Sequence, residues 1–135
     1  MDIIVIEKDK HNDKLSQNLA HSEFKCKCSY GDCTRTLILD ATLRSFELTR
    51  KAYKKPIMVT SGFRCQKHNK DIGGKDFSHH KVGAAIDLTL YGPFLKEELD
   101  LLDNYARLYF DIVLRYDSFI HCHNLDDSRL STEEQ

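Results

Sequence analysis

The sequence predicts an α+β domain in which a small antiparallel sheet packs against two main helices. Two stretches, residues 36–54 and the segment after Gly92-Pro93, carry apolar side chains at helical spacing with charges between them. Short apolar runs of strand character lie between and after these stretches. With 135 residues, 41% of them hydrophobic and 30% charged, the chain has the size and composition of one globular domain with a single core.

The N-terminal half is built around the first helix. Its predicted elements are, in order, a short strand over 1–7, a polar and loosely held segment over 8–21, a cysteine-rich loop over 22–34 and the helix over about 36–54. The apolar face of that helix is made of Leu39, Leu43, Phe46 and Tyr53. Pro56 ends the helix, because the residue before a proline is disfavoured in helical conformation.

The C-terminal half contains the rest of the sheet. Its predicted elements are a buried strand over 57–61 broken by Gly62, a long loop over 63–83, a strand over 84–90, a second helix and a hairpin of 111–116 and 119–123 around Asp117-Ser118. Leu95, Leu99, Leu102, Ala106 and Tyr109 share one face of the second helix. A loop as long as the one predicted here is usually functional in a compact domain.

The segment from Ser78 to Asp87 reads S-x-H-x-x-G-x-A-x-D and predicts a metal site. It places His80 in a loop and Asp87, seven positions later, in a strand. An imidazole and a carboxylate aimed at one point are two ligands of a mononuclear zinc site. The third can come from the last strand, where His121 and His123 share a face by two-residue periodicity. Two histidines and one carboxylate leave a zinc position open for water, as in catalytic sites.

A candidate for substrate binding precedes this motif. Arg64 follows the strand over 57–61 and Gly62, at the mouth of the long loop. A guanidinium group there can bind a substrate carboxylate through two parallel hydrogen bonds.

Together these residues resemble the zinc D-alanyl-D-alanine carboxypeptidase family, whose zinc-site fold is shared with the hedgehog signalling domain. The closest resemblance is to its small single-domain branch of phage and bacterial cell-wall enzymes. It covers about residues 20–123 and rests on Ser22-Glu23-Phe24-x-Cys26, Lys55-Pro56-Ile57, Ser61-Gly62-Phe63-Arg64, His68-Asn69, Gly73-Gly74, the S-x-H-x-x-G-x-A-x-D segment and Phe119-Ile120-His121.

The resemblance implies a peptidase that hydrolyses peptidoglycan stem peptides, as a D-Ala-D-Ala carboxypeptidase or an endopeptidase, with metal-activated water as nucleophile. One catalytic zinc ion would be held by His80, Asp87 and His121, and the peptide would be bound by Arg64 and Ser78. The zinc peptidase domain would span 22–123, between an N-terminal strand and polar lead over 1–21 and a polar tail over 124–135. The peptide bond that is cut stays open.

One departure from the family leaves the proton-transfer group open. Some members carry an acid three residues before the last zinc histidine, or a histidine two residues before it, where this chain has Ser118 and Phe119. The remaining candidates for the catalytic acid or base are Asp117, one residue too early, and His123, where the small branch often has an aspartate. A zinc-retaining but catalytically weak or inactive cell-wall-binding module is therefore the alternative function.

A third possibility is a non-haem iron oxygenase, because two histidines and a carboxylate also form its metal triad. The spacing from His80 to Asp87, the Arg64 motif and the missing jelly-roll strand pattern disfavour it.

Charge and hydropathy exclude other classes of function. The net charge is −1 with no basic stripe, so we expect no nucleic-acid partner. No apolar run approaches the ~20 residues of a membrane span, and the N-terminus lacks the pattern of a signal peptide. We expect a monomer made in the cytoplasm that reaches the cell wall through phage lysis, a virion or another route.

Five cysteines, an odd number, favour reduced thiols over a disulfide framework. Cys26, Cys28 and Cys33 either hold a second, structural metal ion or belong to a loop packed against the core.

Overall fold

The computed structural model describes residues 3–10 and 13–125. Its helices and strands are, in chain order, β1 (Ile3–Glu7), β2 (Lys14–Ser16), β3 (Leu19–Ala20), α1 (His21–Phe24), β4 (Arg35–Leu39), α2 (Asp40–Tyr53), β5 (Met58–Ser61), α3 (Gln66–Asp71), a 3₁₀ helix (His79–Val82), β6 (Ala85–Thr89), α4 (Lys96–Tyr109), β7 (Ile112–Arg115) and β8 (Ile120–His123).

The main sheet has four antiparallel strands in the order β5-β6-β8-β7. Two smaller sheets pair β1 with β4 and β2 with β3. Helices α2 and α4 pack against each other, and α4 contacts β7. The predicted α+β class and the hairpin of the last two strands are confirmed.

The hydrophobic core lies between the sheet and the two long helices. Ile86 and Leu88 of β6 and Ile120 of β8 are fully buried, as are Leu99 and Leu102 of α4. Each such side chain contributes about 1.5–3 kcal/mol to stability when it leaves water. The alternation in β8 sends Ile120 and Cys122 into this core, so the two histidines of that strand lie on the opposite face.

The register of the sheet creates a polar site on that opposite face. Asp87 in β6 stands directly across from His121 of β8 on one side and from Ser61 of β5 on the other. Side chains that oppose each other in an antiparallel pair lie close enough to interact. Strand β6 therefore presents the Asp87 carboxylate between its two neighbours, β5 and β8.

The segment over 8–21 is more ordered than predicted. Leu19 is almost fully buried, and the His21 ring bridges the carbonyl of Lys10 at 2.8 Å and the Thr36 hydroxyl at 2.7 Å. Glu47 of α2 also accepts hydrogen bonds from the β2–β3 hairpin. The polar composition of this segment predicts a loosely held chain. The contacts that order it come from residues elsewhere in the sequence, so the composition does not reveal them. Residues 11 and 12 lie outside the described part.

The first long helix begins at Asp40, four residues later than predicted, because 35–39 forms β4. β4 pairs antiparallel with β1 along its length, from Ile3 opposite Leu39 to Glu7 opposite Arg35. The first apolar residues of the predicted helix therefore belong to strand β4. Pairing with β1 outweighs the helical spacing of these residues in the sequence.

The predicted loop over 63–83 contains two short helices, α3 and the 3₁₀ helix. Both begin with side-chain caps, since Cys65 Sγ accepts from the His68 amide at 3.4 Å and Ser78 Oγ from the His80 amide at 3.2 Å. Segments of this length show little periodicity, so the sequence pattern did not reveal them.

Asn124, which the sequence placed in the polar tail, is buried. Its Nδ2 donates to the Ala41 carbonyl at 3.1 Å and to Ser45 Oγ at 2.9 Å, and its Oδ1 accepts from the Asp111 amide. The remaining tail, 126–135, lies outside the described residues, so the domain boundaries stay a prediction.

Candidate metal centre

Three side chains from the 3₁₀ helix, β6 and β8 converge at one point. The imidazole nitrogens of His80 and His121 and a carboxylate oxygen of Asp87 all lie within 4.8 Å of one another. Asp87 Oδ1 is 3.2 Å from His80 Nε2 and 2.9 Å from His121 Nδ1. The motif predicted His80 and Asp87 as zinc ligands, and the family resemblance implied His121 as the third.

His80 is held rigidly. Its Nδ1 lies 2.6 Å from the Gly62 carbonyl, so this nitrogen donates and Nε2 is left as the acceptor. The His80 side chain is 2% exposed, and its Nε2 faces Asp87 without forming a hydrogen bond of normal geometry. A buried nitrogen lone pair without a donor is costly unless a cation binds it.

Gly83 ends the 3₁₀ helix and connects His80 to the Asp87 strand. Its φ of 74° is in the left-handed region, and an added Cβ would lie 2.1 Å from the Leu37 carbonyl oxygen. The Gly83 carbonyl accepts from the Leu39 amide at 3.0 Å and from Thr42 Oγ1 at 2.8 Å. Only glycine fits this contact with β4, which fixes the turn between the two motif residues.

Asp87 is buried and remains ionised. Burial opposes its ionisation, but the hydrogen bond from His121 and the close approach of His80 outweigh this and lower the pKa of Asp87 to about 2. Its second oxygen, Oδ2, lies 3.6 Å from Arg64 Nη2. The carboxylate is thus held between two imidazoles and a guanidinium group.

His123 contacts the outer nitrogen of His121, with 2.8 Å between His121 Nε2 and His123 Nδ1. On its other side the His123 ring stacks on His79, with ring centres 3.8 Å apart and planes 8° from parallel. Burial, followed by the neighbouring histidines, lowers the pKa of His123 to about 3 and that of His79 to about 4. The two stacked rings are therefore neutral at neutral pH.

Arg64 is less free than the sequence suggested. Its Nε donates to Ser61 Oγ at 3.2 Å and its Nη1 to Asn69 Oδ1 at 3.1 Å, while Nη2 faces Asp87. The side chain is 15% exposed. These contacts fix the guanidinium plane at the edge of the metal centre, with some donor capacity left for a ligand.

An open cleft of about 680 Å³ lies over the three residues. Its wall includes Arg64, Ser78 and His123, and its rim carries Phe77 and Tyr116, both exposed. Ser78 also caps the helix that carries His80. The structure does not bring Asp117 to the site: it is exposed in the β7–β8 turn and outside the cleft lining.

The donor set fits a zinc ion. Two imidazole nitrogens and one carboxylate are the ligands of many catalytic zinc sites, and the open cleft leaves room for a further ligand. The other nitrogen of each histidine is held, for His80 by a backbone carbonyl and for His121 by His123. Metal-ligating histidines almost always have such an outer partner.

A family model described as Peptidase M15 matches residues 17–123. The chain belongs to the peptidase M15 family. The match covers the site and nearly the whole described fold of this M15 peptidase, and it confirms the resemblance to the zinc D-Ala-D-Ala carboxypeptidases. A search of curated proteins returned no significant match.

As a member of a zinc-dependent peptidase family, the M15 peptidase has a peptide substrate, and His80, Asp87 and His121 are its candidate metal ligands. Among the residues described, no helix has the length and apolarity needed to cross a membrane.

Sequence reasoning missed two residues that shape the site of this M15 peptidase. His79 stacks on His123, and Asn69, which is 2% exposed, orients Arg64 while its Nδ2 donates to the Lys75 carbonyl at 2.7 Å. His79 is adjacent to a motif residue, and Asn69 belongs to the His68-Asn69 pair, but neither position by itself predicts its partner.

Proposed function

We propose that this protein is a zinc peptidase that hydrolyses peptidoglycan stem peptides, as a D-Ala-D-Ala carboxypeptidase or an endopeptidase. The observation that carries the proposal is the convergence of His80 Nε2, Asp87 Oδ1 and His121 Nδ1 at the floor of an open cleft.

These three side chains would hold the zinc ion, and the chemistry it would supply is polarisation of a peptide carbonyl and a water pKa lowered to about 7. The protein residues set the conditions for this chemistry. The Asp87 carboxylate would offset part of the cation's charge, and the imidazoles of His80 and His121 would each offer one nitrogen lone pair. Their outer hydrogen bonds keep both rings in the orientation that binding requires.

Arg64 and the rim of the cleft support a peptide substrate with a free carboxylate. The guanidinium group is placed at the edge of the metal centre by Ser61 and Asn69, so it can bind a carboxylate beside the scissile bond. Tyr116 and Phe119 stack with ring centres 4.7 Å apart and offer an apolar surface to small side chains. Stem peptides combine alanine methyl groups with free carboxylates and match both features.

His123 is our proposed proton-transfer group. It lines the cleft and is neutral, and its Nδ1 accepts from His121 Nε2 when His121 Nδ1 serves as the metal ligand, so the His123 proton lies on Nε2 and can be donated toward the leaving amine. A positioned group that donates a proton to the leaving amine in the transition state typically contributes 10²–10⁴-fold to rate.

One observation favours the alternative of a zinc-retaining module with weak or no catalysis. Among the described residues that line the cleft, the acidic ones are Asp87, which is engaged by both histidines, and the exposed Asp76. Within the described part of the chain, the cleft thus offers no second buried carboxylate that could act as the catalytic acid or base.

Digestion of purified peptidoglycan separates the two functions. The zinc-loaded protein and its His80→Ala variant are incubated with the same material, and new peptide termini are identified by mass spectrometry. Peptidase activity predicts new stem-peptide termini with the unaltered protein and none with His80→Ala. Sedimentation with peptidoglycan without new termini would support the binding module instead.

Arg64→Lys tests the proposed carboxylate contact. Lysine keeps the charge but cannot contact Ser61, Asn69, Asp87 and a ligand from one planar group. We expect kcat/KM on stem peptides to fall by ~10- to 100-fold, which corresponds to one charge-assisted contact of roughly 1.5–3 kcal/mol. Zinc content is expected to be unchanged.

The matched control is Arg44→Lys on α2, where the arginine pairs with Asp40 on an exposed helical surface. This change is expected to leave kcat/KM unaltered. Equal kinetics for Arg64→Lys and Arg44→Lys would remove Arg64 from the substrate site.

A further inference from the structure

We propose that Cys26, Cys28, Cys33 and Cys65 together bind one structural zinc ion, at a site separate from the His80–Asp87–His121 centre. The sequence pattern singled out the first three cysteines, and the fold brings Cys65 to them as a fourth ligand. We call this set the four-cysteine cluster.

The sulfur positions fit a single tetrahedral ion. All four Sγ atoms lie within 4.8 Å of one another. Cys65 Sγ is 3.7 Å from Cys26 Sγ and 3.8 Å from Cys28 Sγ. A regular tetrahedron with Zn–S bonds of about 2.3 Å has edges of roughly 3.8 Å. These separations are far longer than the ~2.05 Å of a disulfide.

Burial raises the pKa of Cys26 and, to about 12, that of Cys33, but several donors that point at the sulfur atoms would stabilise metal-bound thiolates. Lys8 Nζ lies 3.3 Å from Cys28 Sγ and 3.4 Å from Cys33 Sγ, and it also donates to the Cys28 carbonyl. The Cys65 amide donates to Cys26 Sγ at 3.3 Å, and the His68 amide to Cys65 Sγ at 3.4 Å. A zinc ion with four thiolates carries two negative charges, and these donors reduce the cost of holding that charge.

The cluster joins segments that are far apart in the chain. Cys26 and Cys28 follow α1, Cys33 precedes β4, and Cys65 caps α3. Lys67 of α3 also lies 4.2 Å from the ring centre of Tyr30, in the loop between the second and third cysteines. With four protein ligands the site is closed, which is the pattern of structural rather than catalytic zinc.

The position of Cys65 indicates what the ion would do. Cys65 follows Arg64 directly and begins the helix that contains Asn69, the partner of the Arg64 guanidinium. An ion at the four-cysteine cluster would therefore hold this segment against the loop after α1. It would act on the substrate site by positioning Arg64.

Two other states of these four cysteines, iron binding and oxidation to disulfides, are possible outcomes of the test. Four thiolates also bind iron, alone or in iron–sulfur clusters, and a cluster of several irons needs its cysteine sulfurs farther apart than one ion does. Oxidation to two disulfides would use the same cysteines and exclude any metal.

The test is the metal content of protein purified under reducing conditions from zinc-supplemented culture. We expect two zinc ions per chain in the unaltered protein and one in Cys28→Ser/Cys33→Ser. The matched control, Cys122→Ala, changes the one cysteine outside the cluster and is expected to keep both ions. Undiminished zinc in Cys28→Ser/Cys33→Ser, iron in place of zinc, or an intact mass showing two disulfides without metal would overturn the proposal.

A second measurement does not depend on the folding of the cysteine variant. Asp87→Asn, with all cysteines intact, is made metal-free and titrated with Co²⁺. The expected result is an intense thiolate-to-cobalt charge-transfer absorption that saturates at one equivalent, whatever becomes of the proposed peptidase activity. Absence of that absorption in the folded protein would contradict a four-thiolate site.

Discussion

His121→Ala is expected to lose one zinc ion per chain and to reduce peptide turnover by at least ~10³-fold. The reason is that His121 Nδ1 faces Asp87 Oδ1 at 2.9 Å and is one of three ligand atoms at the site. A Lewis-acid metal contributes several kcal/mol to transition-state stabilisation, and each 1.36 kcal/mol is a factor of ten in rate. Metal analysis and muropeptide kinetics on the same preparation measure both effects.

The matched variant is His123→Ala, two residues along the same strand face. His123 contacts the outer nitrogen of His121, so its loss is expected to leave the zinc in place. Removal of such an outer partner typically costs 10–100-fold in metal affinity or activity. If the zinc follows His123 and is indifferent to His121, the assigned ligand set is wrong.

Gly83→Ala is expected to destabilise the domain by about 3 kcal/mol or more, which lowers Tm by about 10 °C. The alanine Cβ would lie 2.1 Å from the Leu37 carbonyl oxygen, at a backbone φ of 74°. A left-handed conformation costs a non-glycine residue roughly 1–2 kcal/mol, and overpacking adds typically 1–3 kcal/mol. Thermal unfolding measured by circular dichroism gives the difference.

Gly31→Ala is the control for this substitution. Apart from Gly31 itself and its chain neighbours, no atom of the described residues lies within 4 Å of a Cβ added at Gly31, and its φ is not in the left-handed region. We expect a change within about ±0.5 kcal/mol, as at ordinary surface positions. Equal Tm values for Gly83→Ala and Gly31→Ala would show that the turn between His80 and Asp87 tolerates a side chain.

The sequence predicted the centre of the site because its signals are local. His80, Gly83 and Asp87 lie within one short segment, and two-residue periodicity placed His121 on the correct face of its strand. The burial of Ile120 and Cys122 fixes the face that His121 occupies, and the pairing of β6 with β8 sets it opposite Asp87.

The contacts that the sequence did not reveal join residues far apart in the chain. Leu19 and His21 are buried by partners elsewhere, and 35–39 is a strand because β1 pairs with it. From the sequence, Arg64 has no visible charged partner, because Asp87 lies in strand β6, far along the chain. The same limit hid Cys65, whose three partners all belong to the distant loop between α1 and β4.

The most direct test of the proposed peptidase is a zinc titration of the metal-free protein during digestion of purified stem peptides. We predict no turnover without metal, recovery of turnover as zinc fills the His80–Asp87–His121 site, and none for His121→Ala at any zinc concentration that keeps the protein folded. Turnover by metal-free protein, or a zinc-filled site that cleaves no stem peptide, would contradict the proposed function.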